Sequence, residues 1–181
     1  MLRTLTVPIR RQLVRAIILG VFFAVATIAQ AREHFISPNR RVEAYTTANA
    51  QDGTGMKLFL RRNKTRHTGD LIFQNMRWID AKWSPDSRFL AVVDHNDGHI
   101  ADVYVFAVSA DRGAQPQITL CYRTPNPGTY DVQWDVVRWD LRARSIILTK
   151  RVRDPSAHKI TRDSVVARIG DTPLPFSVNE I

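Results

Sequence analysis

From residue 42 onward the chain is written in short apolar runs separated by turn-forming residues. The runs 42–47, 57–62, 70–75, 77–83, 88–94, 101–108, 117–123, 130–139, 145–152 and 163–169 are rich in Val, Ile, Phe, Tyr and Trp, which predicts ten β-strands. Asp52-Gly53, Thr68-Gly69, Asp97-Gly98, Arg112-Gly113 and Pro125-Asn126-Pro127-Gly128 lie between them and favour turns, with Asp97-Gly98 suited to a tight hairpin. After Ala31 no stretch of ten or more residues carries a 3.6-residue period. Strands spaced about ten residues apart with no helix between them predict an all-β antiparallel domain.

Two of these strands are apolar on both sides. Phe89-Leu90-Ala91-Val92-Val93 and Val103-Tyr104-Val105-Phe106-Ala107-Val108 are unbroken, whereas a strand with one wet face alternates. Such strands need cover above and below, and a sheet stacked between like sheets supplies it.

The runs also repeat. Ile36-Ser37-Pro38-Asn39-Arg40-Arg41-Val42 returns 47 residues later as Trp83-Ser84-Pro85-Asp86-Ser87-Arg88-Phe89, and the same offset carries Leu58 onto Val105, Leu71 onto Ile118 and Phe73 onto Leu120. At an offset of 56, Trp78, Lys82 and Trp83 map onto Trp134, Arg138 and Trp139, Arg88 onto Arg144, and Leu90 onto Ile146. After a longer loop, Asp102 to Val108 resembles Asp163 to Ile169. Three units of roughly 45–55 residues follow, at 36–75, 76–123 and 130–169, a period in the range of propeller blades.

The stretch W-S-P-D-S-R-F-L-A-V-V-D at residues 83–94, followed by an Asp-Gly turn and D-V-Y-V-F at 102–106, resembles the TolB-type β-propeller repeat. The match is good over about 76–123, partial over 36–75, where Ile36 stands for the Trp and Asn39 for the Asp, and poor over 139–169, where Ser-Pro gives way to Asp140-Leu141. The resemblance implies four-strand antiparallel meanders like propeller blades. Closed propellers have about four or more blades. Three units therefore leave an incomplete or open propeller-like stack, closure by self-association, or a β-sandwich that borrows the motif. Exposed terminal sheets would be adhesive, so a protein partner or self-association is expected, with Pro173-Leu174-Pro175-Phe176 available to cover one edge.

The first 31 residues read differently. Arg3, Arg10, Arg11 and Arg15 precede the apolar run 16–29, which ends in Ala29-Gln30-Ala31, the pattern of a cleaved signal peptide spanning residues 1–31. An uncleaved anchor is the alternative, and Arg10-Arg11 leaves open twin-arginine as well as general export. The single domain is then 32–181, exported to the periplasm or the extracellular space. The 181 residues carry 26 Lys and Arg against 17 Asp and Glu, a net +9, but four of those bases and none of the acids lie in the leader, so the remaining 150 residues carry +5. That balance is no nucleic-acid signature, and no second apolar run is long enough to span a membrane. One cysteine, Cys121, excludes a disulfide scaffold and, inside an apolar strand, reads as a buried inert thiol.

Candidate chemistry is sparse. Gly-x-Ser-x-Gly, Gly-x-Gly-x-x-Gly and a phosphate loop do not occur. Asp94-His95-Asn96-Asp97-Gly98-His99 gathers metal-ligating types, but the spacing is wrong for a calcium loop and a third zinc ligand is lacking locally, so it reads as a polar hairpin. The aspartates at 80, 86, 94, 97, 102, 131, 135 and 140 suit strand ends and turns as well as acid–base pairs. The tryptophans, five apart, are expected on opposite faces of their strand, which suits a blade buried on both sides. Two basic clusters remain as interaction candidates: Arg61, Arg62, Lys64 and Arg66, and Lys150, Arg151 and Arg153. The expectation is a protein-binding or assembly module with no catalysis, cofactor or metal. The alternatives are a small secreted hydrolase built on Asp residues or a metal near Asp94–His99, and a basic surface protein docking on anionic envelope polymers.

Overall fold

A computed structural model describes residues 33–48, 55–75, 77–95, 99–111, 114–125, 131–154, 156–170 and 172–175. Residues 1–31, expected from sequence to be a leader, the Asp97-Gly98 turn and Phe176 lie outside these residues. Among the described residues eleven strands form three antiparallel sheets, each a meander of consecutive strands, and none closes into a barrel. The first sheet holds β1 (His34–Ile36), β2 (Val42–Ala48), β3 (Met56–Arg62) and β4 (Asp70–Asn75). The middle sheet holds β5 (Trp78–Trp83), β6 (Phe89–His95), β7 (Asp102–Ser109) and β8 (Gln117–Arg123). The third holds β9 (Asp131–Asp140), β10 (Ser145–Asp154) and β11 (Lys159–Arg168). The fold is thus all-β, an open stack of propeller-like blades, the last one three-stranded. The short β1, three residues of which one is polar, carries too little apolar pattern to be read as a strand from sequence.

The apolar runs of β6 and β7 serve both faces of the middle sheet. Leu90, Val92, Tyr104 and Phe106 join Ala44, Leu58, Leu60 and Phe73 of the first sheet in one core. Phe89, Ala91, Val93, Val103 and Val105, the alternate residues, join Val132, Trp134, Ile146 and Leu148 of the third sheet in a second. Each fully buried Val, Leu, Ile or Phe side chain among these contributes about 1.5–3 kcal/mol, so the two cores tie the sheets into one body.

The sequence echoes have geometric counterparts. The 47-residue offset places β2 on β6 and β4 on β8, and it carries a β-bulge between Leu58 and Phe59 onto one between Val105 and Phe106. The Ser-Pro turns match bond for bond. Ser37 Oγ and Ser84 Oγ accept from the amides of Val42 (3.0 Å) and Phe89 (2.9 Å), and donate to Asn39 (2.9 Å) and Asp86 (2.6 Å). Arg40 and Ser87 take the left-handed conformation at equivalent positions (φ 58° and 63°). Between the sheets, the Trp83 indole donates to the Phe35 carbonyl (2.7 Å) and the Asn39 amide to Ser87 Oγ (3.0 Å). Ala101 clips the middle sheet to the third by accepting from Trp134 N (3.0 Å) and donating to Val132 O (3.1 Å). Leu174 N donates to Leu120 O (2.9 Å), which lays the Pro-Leu-Pro segment along β8. In the Thr68-Gly69 turn, Gly69 has φ 78°, and a Cβ there would meet the Leu60 carbonyl oxygen at 2.7 Å.

The tryptophan echo is corrected at one position. Trp83 and Trp139 are equivalent, pairing with Leu90 and Ile146. Trp78 and Trp134 are not. The ladder between β9 and β10 slips at Val137, so Trp134 pairs with Lys150 where Ile79 pairs with Asp94. One bulged residue moves a side chain to the other face. Trp134 is therefore core, 4% exposed, whereas Trp78 is 53% exposed on a side of β5 shared with Asp80 and Lys82. The expectation that both faces of this strand are buried fails at Trp78, and the stacking rests on β6 and β7 instead.

Leu90→Ala is expected to cost about 2–5 kcal/mol in urea unfolding, and Val166→Ala, on an exposed face of β11, within about 0.5 kcal/mol. Ser84→Ala, which leaves the buried Phe89 amide without its acceptor, is expected to cost about 1–3 kcal/mol.

Candidate functional site

The two basic clusters lie on different sheets, with the middle sheet between them. In the first, Arg61 is engaged: its Nε is 2.7 Å from Glu43 Oε2, and its guanidinium lies 4.5 Å over the Tyr45 ring. Tyr45 stacks in turn between His34 and Phe59, and its hydroxyl donates to the Thr68 carbonyl. Burial pushes the Glu43 carboxyl up, but hydrogen bonds from Arg61 and His34 outweigh it and hold the group below its ordinary value. Arg61 thus braces the outer face of the first sheet. Arg62 is half-buried at the end of β3, and Lys64 and Arg66 are exposed in the turn that follows.

In the second cluster the strand period separates neighbours. Lys150 points to the side of Trp134, its Nζ 5.5 Å over that ring. Arg151 and Arg153 share the opposite, outer face. Register adds what one-dimensional reading missed: Arg162 of β11 lies directly across from Arg151, and Ile160 across from Arg153. With Gln133, Asp131, His99 and His158 these side chains line an open groove of about 390 Å³. Arg151 is 3.1 Å from Asp135, and His99 3.7 Å from Asp131. Arg162 escaped notice because no basic run surrounds it; only the hairpin register places it beside Arg151.

Of the Asp94–His99 segment the structure describes Asp94, His95 and His99, which face different partners. His99 faces Asp131, and His95 lies under Trp78, ring centroids 5.1 Å apart. Among the described residues no group of three or more His, Cys, Asp or Glu is placed to hold a metal ion; Asp97 lies outside them. Asp94 instead meets Asp102, its cross-strand partner, at the end of the middle sheet. Both are buried. Asp94 accepts from Asn75, and Asp102 from Thr124 Oγ1 (3.0 Å), whose hydroxyl oxygen also accepts from Val103 N (3.0 Å). Burial, reinforced by the neighbouring Asp102 charge, pushes the Asp94 carboxyl up to about 7, although Asn75 and Arg123 oppose this. Burial likewise raises Asp102, against Thr124 and Arg123. At the corresponding register position of the third sheet stand Lys150 and Asp163, an opposite-charge pair. Cys121 is half-buried, its Sγ 3.3 Å from the Thr119 carbonyl. The sequence matches no protein-family model and no curated protein.

Because folded Asp94 holds its proton to about pH 7 against an ordinary value of 3.8, its contribution to stability is complete below the lower value and is lost as pH rises through the upper one. Asp94→Asn keeps an acceptor for Asn75 and removes that titration. Its melting temperature relative to wild type is expected to rise between about pH 5 and about pH 8; a constant difference contradicts the assignment.

Proposed function

We propose that the protein is an exported, non-catalytic binding module that engages a partner protein through the outer face of its third sheet. Position-by-position comparison of the repeats carries the reading. The middle sheet presents Phe89, Ala91, Val93, Val103, Val105 and Ala107 to its neighbour. The register-equivalent positions of the third sheet are Ser145, Ile147, Thr149, Ser164, Val166 and Arg168. That face keeps an apolar patch, with Ile147 beside Val166, which is 64% exposed, and the exposed Val137 nearby, flanked by exposed Arg138 and Arg168. It is too polar to bury another blade as the middle sheet does, and too apolar for plain solvent exposure. The flanking arginines suit a partner with acidic residues around an apolar contact. The first sheet's outer face carries its own cover of Tyr45, Arg61 and Glu43, and basic residues on both terminal faces disfavour stacking of two copies. Export rests on the pattern of residues 1–31, and the likeness to TolB-type repeats agrees with a binding role.

Val166→Glu is expected to abolish a stoichiometric complex recovered on the wild-type protein from envelope extract, and Lys57→Glu, on the first sheet, to leave it intact. Circular dichroism checks both folds, and light scattering gives the solution mass. Equal recovery on wild type and Val166→Glu, or a stable homodimer that occupies the face, contradicts the reading.

A further inference from the structure

At the other end of the third sheet, away from the apolar patch, the groove poses a separate electrostatic problem. Arg151 and Arg162 are directly opposed across the β10–β11 ladder, and Arg153 follows two residues along on the same face. Like charges at such positions destabilise a hairpin. Nearby acids relieve only part of this: Asp135 pairs with Arg151 and Asp131 with His99. Among the described residues neither Arg153 nor Arg162 has a carboxylate within ion-pair distance, and the buried Nε–H of Arg151 has no acceptor. Asp154, at the hairpin tip, is occupied by its own turn, accepting from Ser156 N (2.9 Å), Ser156 Oγ (2.6 Å) and Ala157 N (3.0 Å).

We infer that this groove is an anion site for phosphate-bearing ligands, with Arg153 and Arg162 as the principal contacts and Arg151 and His158 at its walls. Planar guanidinium forks bind phosphate oxygens through paired hydrogen bonds. The three arginines occupy two adjacent rows, roughly 7 Å apart along the strand. That spacing favours a ligand presenting two phosphate groups over a single monoanion. The groove's 390 Å³ holds such a ligand with room to spare. A soluble oligophosphate and a phosphate headgroup share this chemistry. The site goes beyond the protein-binding reading and needs none of the residues tested for it.

Titration calorimetry with inorganic pyrophosphate at low ionic strength, alongside co-sedimentation with phosphatidylglycerol and phosphatidylcholine vesicles, tests the site. Wild type is expected to bind pyrophosphate, and Arg153→Ala/Arg162→Ala to bind at least tenfold more weakly. Lys64→Ala/Arg66→Ala on the first sheet is expected to match wild type. Binding to phosphatidylglycerol alone, lost in the same double variant, also supports the site and assigns it to a headgroup. Should the double variant misfold, Arg162→Gln serves in its place and is expected to weaken binding in the same direction. Absence of binding to both probes, binding unchanged by the groove variants, or an equal loss in the Lys64/Arg66 control overturns the inference.

Discussion

The middle sheet is apolar on both sides, and everything else in the molecule answers to that. β6 sends Leu90 and Val92 one way and Phe89, Ala91 and Val93 the other. A sheet of this kind cannot lie against water on either face. It requires a cover above and a cover below, and the chain supplies both from its own flanking repeats. The hydrogen bonds that cross between sheets, from Trp83 to Phe35, Asn39 to Ser87 and Trp134 to Ala101, fix the mutual placement of surfaces that burial has already brought together.

Stacking moves the problem of exposed faces to the ends, and the ends are treated differently. On the first sheet, Tyr45 lies between two aromatic rings beneath Arg61, and Glu43 takes the arginine's charge. On the third, Ser, Thr and Arg replace most of the apolar residues that the middle sheet carries at the same register, yet Val137, Ile160 and Val166 stay exposed. Polar outer faces at terminal repeats are a general requirement of stacked-repeat proteins. Here one end meets it with an ion pair and aromatic stacking, while the other is left half apolar and strongly basic. This asymmetry is what supports the proposal of the third sheet's outer face as a binding surface.

The Asp94–Asp102 pair shows a different use of the repeat. Lys150 and Asp163 at the matching position make an opposite-charge cross-strand pair, while the middle sheet places two carboxyls there and encloses them. Asn75 and Thr124 supply hydrogen bonds, so the enclosure is polar but electrostatically tense. Burial, more than the neighbouring charge, sets the direction of the Asp94 shift.

The linear pattern of residues by itself determined the class of fold, the strands with ample apolar content, the 47-residue repeat and the need of the 89–93 and 103–108 runs for cover on both faces. These depend on local propensity and on side-chain alternation, both present in one dimension. Only the tertiary structure decided three things. β1 exists because it pairs with β2 despite its weak pattern. Trp78 and Trp134 part company because of a single slipped residue at Val137. Arg162 meets Arg151 while Lys150 turns away, because register and strand alternation determine which distant residues share a face. Register is a property of two strands together, set by how their buried faces fit, and no single stretch of sequence contains it.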